Sequence, residues 1–162
     1  SNGSVMPFFL NKRKDGILPI TDTKMTRFNI SLHDGCQMVF DAIEKSWGGE
    51  LFVPKIPSYK IVDVATAIGP NCYQEEVGIR PGEKLHEEMI TVSDAINTYD
   101  IGKYYVILPQ VTVFDKEEFV THFNAQKVNS DFSYNSGDNG EWETVDSLRG
   151  LVKEFVDPNF EG

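Results

Sequence analysis

The sequence predicts an α/β protein, on three observations. Short runs rich in Val, Ile, Phe and Tyr alternate with stretches whose apolar residues recur at helical spacing, through the first two thirds of the chain. Gly and Pro punctuate most of the junctions between them. The 162 residues, 40% hydrophobic and 12% aromatic, are enough for a domain with a core of its own.

Val5 to Lys14 reads as a short helix with Pro7 in its first turn, where a missing N–H costs nothing, and Asp15-Gly16 ends it. Leu18-Pro19-Ile20 is a brief extended piece, Asp22 to Lys24 a turn, and Met25 to Ile30 a strand. Ser31 is placed to cap a helix from Leu32 to Trp47, with Leu32, Cys36, Val39, Phe40 and Ile43 on one face and Gly48-Gly49 as its stop. Glu50 to Val53 is a strand. Lys60 to Ile68 is a helix, apolar at Ile61, Val64, Ala65 and Ile68, and Gly69-Pro70 halts it. Cys72 to Val77 is a strand leading to a turn at Pro81-Gly82, and Glu83 to Ile90 is expected to be helical. Tyr99 to Leu108 is strand-like around Gly102-Lys103, Lys116 to Phe123 helical, and Asn129 to Gly140 a polar loop. Thr144 is placed to cap a last helix running to about Phe155.

Charge and composition exclude several functions. A net charge of −10 argues against broad nucleic-acid or anionic-membrane binding, though not against one small basic pocket. No apolar run is long enough to cross a membrane, and Val5 to Leu10 is too short for a signal peptide. Two cysteines, Cys36 and Cys72, fit a reducing cytoplasm better than a disulfide scaffold. His86-Glu87-Glu88 lacks the second histidine of a zinc helix, and Asp131 to Glu143 has Ser136 at the sixth position and Trp142 at the twelfth, where a calcium loop has glycine and glutamate, so no metal is expected.

The stretch from Val77 to Met89 carries the most chemistry. Pro81 fixes φ and Gly82 accepts positive φ, so the bend between Arg80 and Glu83 is held in one shape. A guanidinium can grip phosphate oxygens through paired hydrogen bonds, and a neighbouring carboxylate can accept from a ribose diol. That pair suits a nucleoside diphosphate. A surface turn with Arg80 paired to Glu83 or Glu87 is the plain structural alternative.

Five stretches together resemble a known family. Gly3 to Phe9, then Leu18 to Asp22 with Met25-Thr26-Arg27-Phe28, then Gly49 to Ser58 and Gly78 to Glu87 occur in the order and spacing of the inverting UDP-N-acetylglucosamine 4,6-dehydratases of bacterial surface-sugar biosynthesis. These are extended short-chain dehydrogenase/reductases. The resemblance implies an α+β substrate-binding lobe over residues 1–102 and a polysaccharide-biosynthesis C-terminal extension over 103–162. It also implies an enzyme that uses NADP to convert UDP-N-acetylglucosamine to a 4-keto-6-deoxy sugar nucleotide with inversion at C5. The family's catalytic half is a Rossmann domain with a Gly-rich phosphate turn and a Tyr-x-x-x-Lys pair on a helix. No Gly-x-Gly-x-x-Gly occurs in this sequence, which begins roughly where that half ends. Tyr99 and Lys103 match the pair as a string, but Gly102 and the following Tyr104-Tyr105-Val106-Ile107 read as turn and strand.

The resemblance therefore implies a UDP-sugar-binding portion with no catalytic residue and no cofactor bound by this chain alone. Arg27 and Arg80 match arginines that approach the diphosphate, and Glu83 the acid that contacts the ribose. Leu18, Pro19 and Ile20 match the segment bordering the uracil, and Ser4, Val5 and Met6 a helix start suited to phosphate. Self-association through surfaces that a Rossmann half would cover is also expected. A stand-alone binding or assembly module, and part of a different nucleotide-sugar epimerase or dehydratase, are the alternatives.

Overall fold

The computed structural model describes residues 5–161. In chain order its helices are α1 (Val5–Lys12), α2 (Leu32–Lys45), α3 (Ile61–Ile68), α4 (Val92–Ala95), α5 (Lys116–Phe123) and α6 (Val145–Phe155). Its strands are β1 (Ile17–Ile20), β2 (Thr26–Phe28), β3 (Leu51–Pro54), β4 (Ser58–Lys60), β5 (Tyr73–Glu76), β6 (Glu88–Ile90), β7 (Thr98–Asp100), β8 (Tyr104–Ile107), β9 (Gln126–Lys127) and β10 (Tyr134–Asn135). The mixed helix-and-strand class expected from the sequence is the one observed. The chain forms two compact units, residues 1–28, 57–87 and 139–162 in one, 29–56 and 88–138 in the other. The 102–103 division expected from the sequence falls between β7 and β8.

The first unit packs α1, α3 and α6 around a core with Phe9, Leu18, Ile20, Met25, Ile68, Leu148 and Val152. β1 pairs in parallel with β5, Ile17 opposite Tyr73, and β2 pairs antiparallel with β4, Arg27 opposite Tyr59. Five of the eight residues of α3 are buried (Ile61, Val64, Ala65, Ala67 and Ile68), so the helix is enclosed on most of its surface. At α6 the Thr144 side chain accepts from Ser147 N and the Ser147 side chain accepts from Thr144 N, a reciprocal cap. Such a cap contributes about 1 kcal/mol.

The second unit is built on the antiparallel sheet β3-β8-β7-β9, with β6 paired to β10. Phe119 of α5 is fully buried and lies 4.7–5.4 Å, centroid to centroid, from Phe123, Phe114 and Trp47. Truncating a phenylalanine so placed costs about 3–5 kcal/mol. α2 is capped by Ser31, whose side chain accepts from Asp34 N. It stops at Lys45 rather than Trp47 because the Glu50 carboxylate takes the backbone N–H of Trp47 and Gly48 and the Ser46 hydroxyl. The apolar face of α2 is present as expected, but it is bare: Leu32 is 85% exposed, Phe40 66% and Ile43 73%.

One expectation is overturned. Glu83 to Ile90 is not a helix; residues 83–87 are irregular and 88–90 form β6. One carbonyl that an i to i+4 ladder needs, that of Leu85, is committed to β2, and the next two side chains are tied to the same strand. Leu85 O accepts from Thr26 N, His86 bonds the Thr26 hydroxyl, and Glu87 Oε2 accepts from Phe28 N.

Asp41 is a buried carboxylate of the second unit, 8% exposed. Lys103 Nζ donates to it at 2.7 Å, the Tyr104 hydroxyl at 2.6 Å and Gln37 Nε2 at 2.8 Å. The Lys103 hydrogen bond first, then those from Tyr104 and Gln37, hold its carboxyl far below the usual carboxylate range. A depressed folded pKa stabilises the fold above the unfolded value of about 3.9, and that stabilisation is lost as the pH falls through the folded value. Asp41→Asn should therefore lower the melting temperature at pH 7 and melt more nearly like the wild type as the pH drops below about 4. A deficit of the same size at pH 7 and pH 2 would show that Asp41 does not act through its charge.

Candidate functional site

The site begins at β1 and β5. Their parallel pairing is extended by Val77 N donating to Ile20 O at 2.8 Å, so the chain leaves β5 anchored beside Ile20. It then turns at Arg80-Pro81-Gly82-Glu83. Glu83 N donates to Arg80 O at 3.0 Å, and Gly82 has φ of 83°. Pro at the second position and Gly at positive φ in the third match a type II turn. The Glu83 carboxylate accepts from the backbone N–H of Arg80 at 3.3 Å, which folds it back over the turn.

Arg27 comes from β2. Its Nη1 donates to Thr26 O at 2.7 Å and to Leu85 O at 3.2 Å, and its side chain is 19% exposed. Nη2 lies 3.8 Å from Glu83 Oε1 and Nε 3.8 Å from Glu87 Oε1. Arg27 is thus fixed by carbonyls and faces two carboxylates. The Arg80 guanidinium is exposed and makes no hydrogen bond or ion pair among the described residues. Two cations and two carboxylates balance here, so the group with donors to spare for an anion is Arg80.

Tyr59 stands opposite Arg27 on β4. Burial pushes its phenol up to about 12, the Glu87 charge adds to the shift, and Arg27 partly offsets it. At neutral pH it is an uncharged O–H donor.

Arg27, Tyr59, Arg80 and Glu83 line one cavity of about 670 Å³ with Thr21, Met25 and a face of α1 bearing Val5, Pro7, Phe8 and Asn11. One part of the lining is apolar and aromatic, the other charged. That combination suits an amphipathic ligand with an anionic group.

Of the residues singled out in the sequence, Arg27, Arg80, Glu83 and Val5 come together. Met6 packs against the core, and Leu18 and Ile20 are core residues whose side chains are almost wholly buried. Pro19 is half-buried in β1, and it is Thr21, just after this segment, that lines the cavity. Ser4 lies outside the described residues. Pro7, Phe8, Asn11, Thr21, Met25 and Tyr59 were missed. Val5, Phe8 and Asn11 recur every third residue along one helical face, a signal that was available. Tyr59 had none, because its place beside Arg27 depends on strand register. Tyr99 and Lys103 share no helix: Tyr99 is in β7, and Lys103 is paired with Asp41. Among the described residues no cluster of His, Cys, Asp or Glu could hold a metal ion.

Residues 1–109 match the family described as polysaccharide biosynthesis protein. The chain is 46% identical over 159 residues to a UDP-N-acetylglucosamine 4,6-dehydratase (inverting) of Campylobacter jejuni, covering 94% of this chain and 47% of that protein. It is 38% identical over 112 residues to a UDP-glucose 4-epimerase of Rickettsia canadensis, covering 66% of this chain and 33% of that protein. Among solved structures, an X-ray structure of Pen from Bacillus thuringiensis superposes with a TM-score of 0.76 at 26% identity, covering 94% of this chain and 46% of that one. The chain spans about half the length of the curated relatives it matches.

Proposed function

The chain belongs to the polysaccharide biosynthesis protein family, and on that premise we propose that it is the UDP-sugar-binding portion of an inverting UDP-N-acetylglucosamine 4,6-dehydratase. The observation that carries this reading is the convergence of Arg27, Arg80 and Glu83 on one cavity. Arg80, with its donors uncommitted, takes the diphosphate as a fork. Arg27, held by two carbonyls, supplies a fixed positive charge and orients Glu83, whose carboxylate accepts from the ribose diol. Two cations about one diphosphate place the sugar for chemistry while leaving it free to react. The dehydratase is favoured over an epimerase because its likeness runs through 94% of the chain, whereas that of the epimerase covers 66%.

We infer that NADP, which the family implies, is not held by the described residues of this chain. The pyrophosphate of a dinucleotide needs a glycine cradle between a strand and a helix. Gly48 faces Val113 instead: a Cβ there would lie 2.9 Å from Val113 Cγ2. We therefore assign this chain no hydride transfer and no turnover by itself. The reading carries a cytoplasmic setting, in keeping with the free thiols of Cys36 and Cys72. Among the described residues no helix is long and apolar enough to cross a membrane.

UDP should bind on the order of millimolar and more tightly than UMP, as read by ligand-observed NMR. Arg80→Ala should remove that difference, since a charge-assisted contact contributes roughly 1.5–3 kcal/mol. Arg80→Lys should restore part of it, because a point charge cannot fork. The same chain incubated with NADP and UDP-N-acetylglucosamine should form no 4-keto product. Equal binding of UDP and UMP, or an indifferent Arg80→Ala, would defeat the reading.

The bare face of α2 belongs to the same proposal. Leu32, Val39, Phe40 and Ile43 make an apolar stripe that needs cover, and a second copy of the chain supplies it in solution. Light scattering should show association at micromolar concentration that Phe40→Asp with Ile43→Asp abolishes; a monomeric wild type would refute it.

A further inference from the structure

The loop 77–87 is fastened firmly at its ends and lightly in the middle. Its start is held by Val77 N on Ile20 O, its end by contacts to β2. Between them Gly78 and Gly82 have φ of 87° and 83°, and a Cβ at either would meet nothing within 4 Å. Arg80 and Glu83 ride on this stretch, whose one contact with β2 among the described residues is the 3.8 Å pair of Glu83 with Arg27. What fixes them in space is therefore chiefly how firmly residues 85–87 are tied to β2.

Three successive residues make that tie. Leu85 O accepts from Thr26 N at 3.1 Å and from Arg27 Nη1 at 3.2 Å. Glu87 Oε2 accepts from Phe28 N at 2.9 Å. Between them His86 Nδ1 shares a hydrogen bond of 2.7 Å with the hydroxyl of Thr26, a residue only 4% exposed. We propose that His86 is a positioning residue of the sugar-nucleotide site, fastening the loop that carries Arg80 and Glu83 onto the strand that carries Arg27. The proposal rests on the reading given under Proposed function.

His86 does not line the cavity, so it acts through its neighbours. The Thr26–His86 bond is shielded from water by the burial of Thr26, so water does not readily replace it. It lies next to the carbonyl that Arg27 uses, so its loss loosens both cations at once: Arg80 through the loop, Arg27 through Leu85 O. Ligands that need both cations feel this most, and a monophosphate feels it least. The side chain is thereby set apart from the structural hydrogen bonds of the core, whose loss would weaken UDP and UMP alike.

The test compares His86→Asn, whose amide reaches the place of Nδ1, with His86→Gln, whose amide reaches only that of Nε2. Both are polar and of similar bulk, and thermal melting confirms that both are folded. Backbone amide exchange over residues 78–84 and the affinities for UDP and UMP are measured on the full 162-residue chain. His86→Gln should speed exchange across 78–84 and weaken UDP by roughly two- to tenfold, the range of one net hydrogen bond, with UMP unchanged. His86→Asn should stay near the wild type in both. Wild-type exchange and UDP affinity in His86→Gln, or equal losses in the two variants, would overturn the proposal. If the wild type binds UDP and UMP alike, the sugar-nucleotide reading fails on its own. The fastening role then stands or falls with the exchange of 78–84 alone.

Discussion

Strand β2 is three residues long and is claimed from both edges. On one side it pairs with β4, which brings Tyr59 opposite Arg27. On the other it holds residues 85–87 through Thr26 N, the Thr26 hydroxyl and Phe28 N. In an extended strand successive backbone groups point to opposite edges, so a strand this short can satisfy two neighbours at once. The rest of the cavity depends on that arrangement. Without β4 there is no Tyr59 beside Arg27, and without residues 85–87 the turn bearing Arg80 and Glu83 has one anchor instead of two.

The electrostatics follow from the same contacts. Arg27 is hydrogen-bonded to two carbonyls and faced by Glu83 and Glu87 at 3.8 Å, so its charge is largely answered within the protein. Each exposed pair of that kind contributes little to stability. Its effect is geometric: it fixes where the carboxylates stand. Arg80 has no such commitments among the described residues and remains available. In a chain of net charge −10, one uncommitted guanidinium beside a neutral tyrosine and a largely buried arginine is a local exception to a repulsive field for anions.

Much of the fold was legible because its signals are local. Ser31 and Thr144 stand where helix caps belong, and α5 and α6 begin and end close to where the pattern places them. The turn at Pro81-Gly82 follows from two residues whose backbone preferences are fixed by chemistry. Glu83 to Ile90 misled for the complementary reason. Its Glu, Leu, His and Met suit a helix within the window, and the partners that prevent one sit about 60 positions earlier on β2. The apolar stripe of α2 gave the helix correctly and its burial wrongly, since a pattern reports a face and not what covers it. In the cavity, the two arginines and Glu83 were legible through the resemblance. Tyr59 was not, because its neighbour across the strand pair is set by register.

The central claim is that Arg27, Arg80 and Glu83 are gathered into one cavity in order to hold a nucleoside diphosphate. A crystal structure of this chain soaked with UDP tests it most directly. The account predicts the diphosphate against the Arg80 guanidinium, the ribose hydroxyls within hydrogen-bond reach of Glu83, and the 78–84 stretch ordered around them. UDP ordered at another surface, or this cavity empty at saturating UDP, would contradict it.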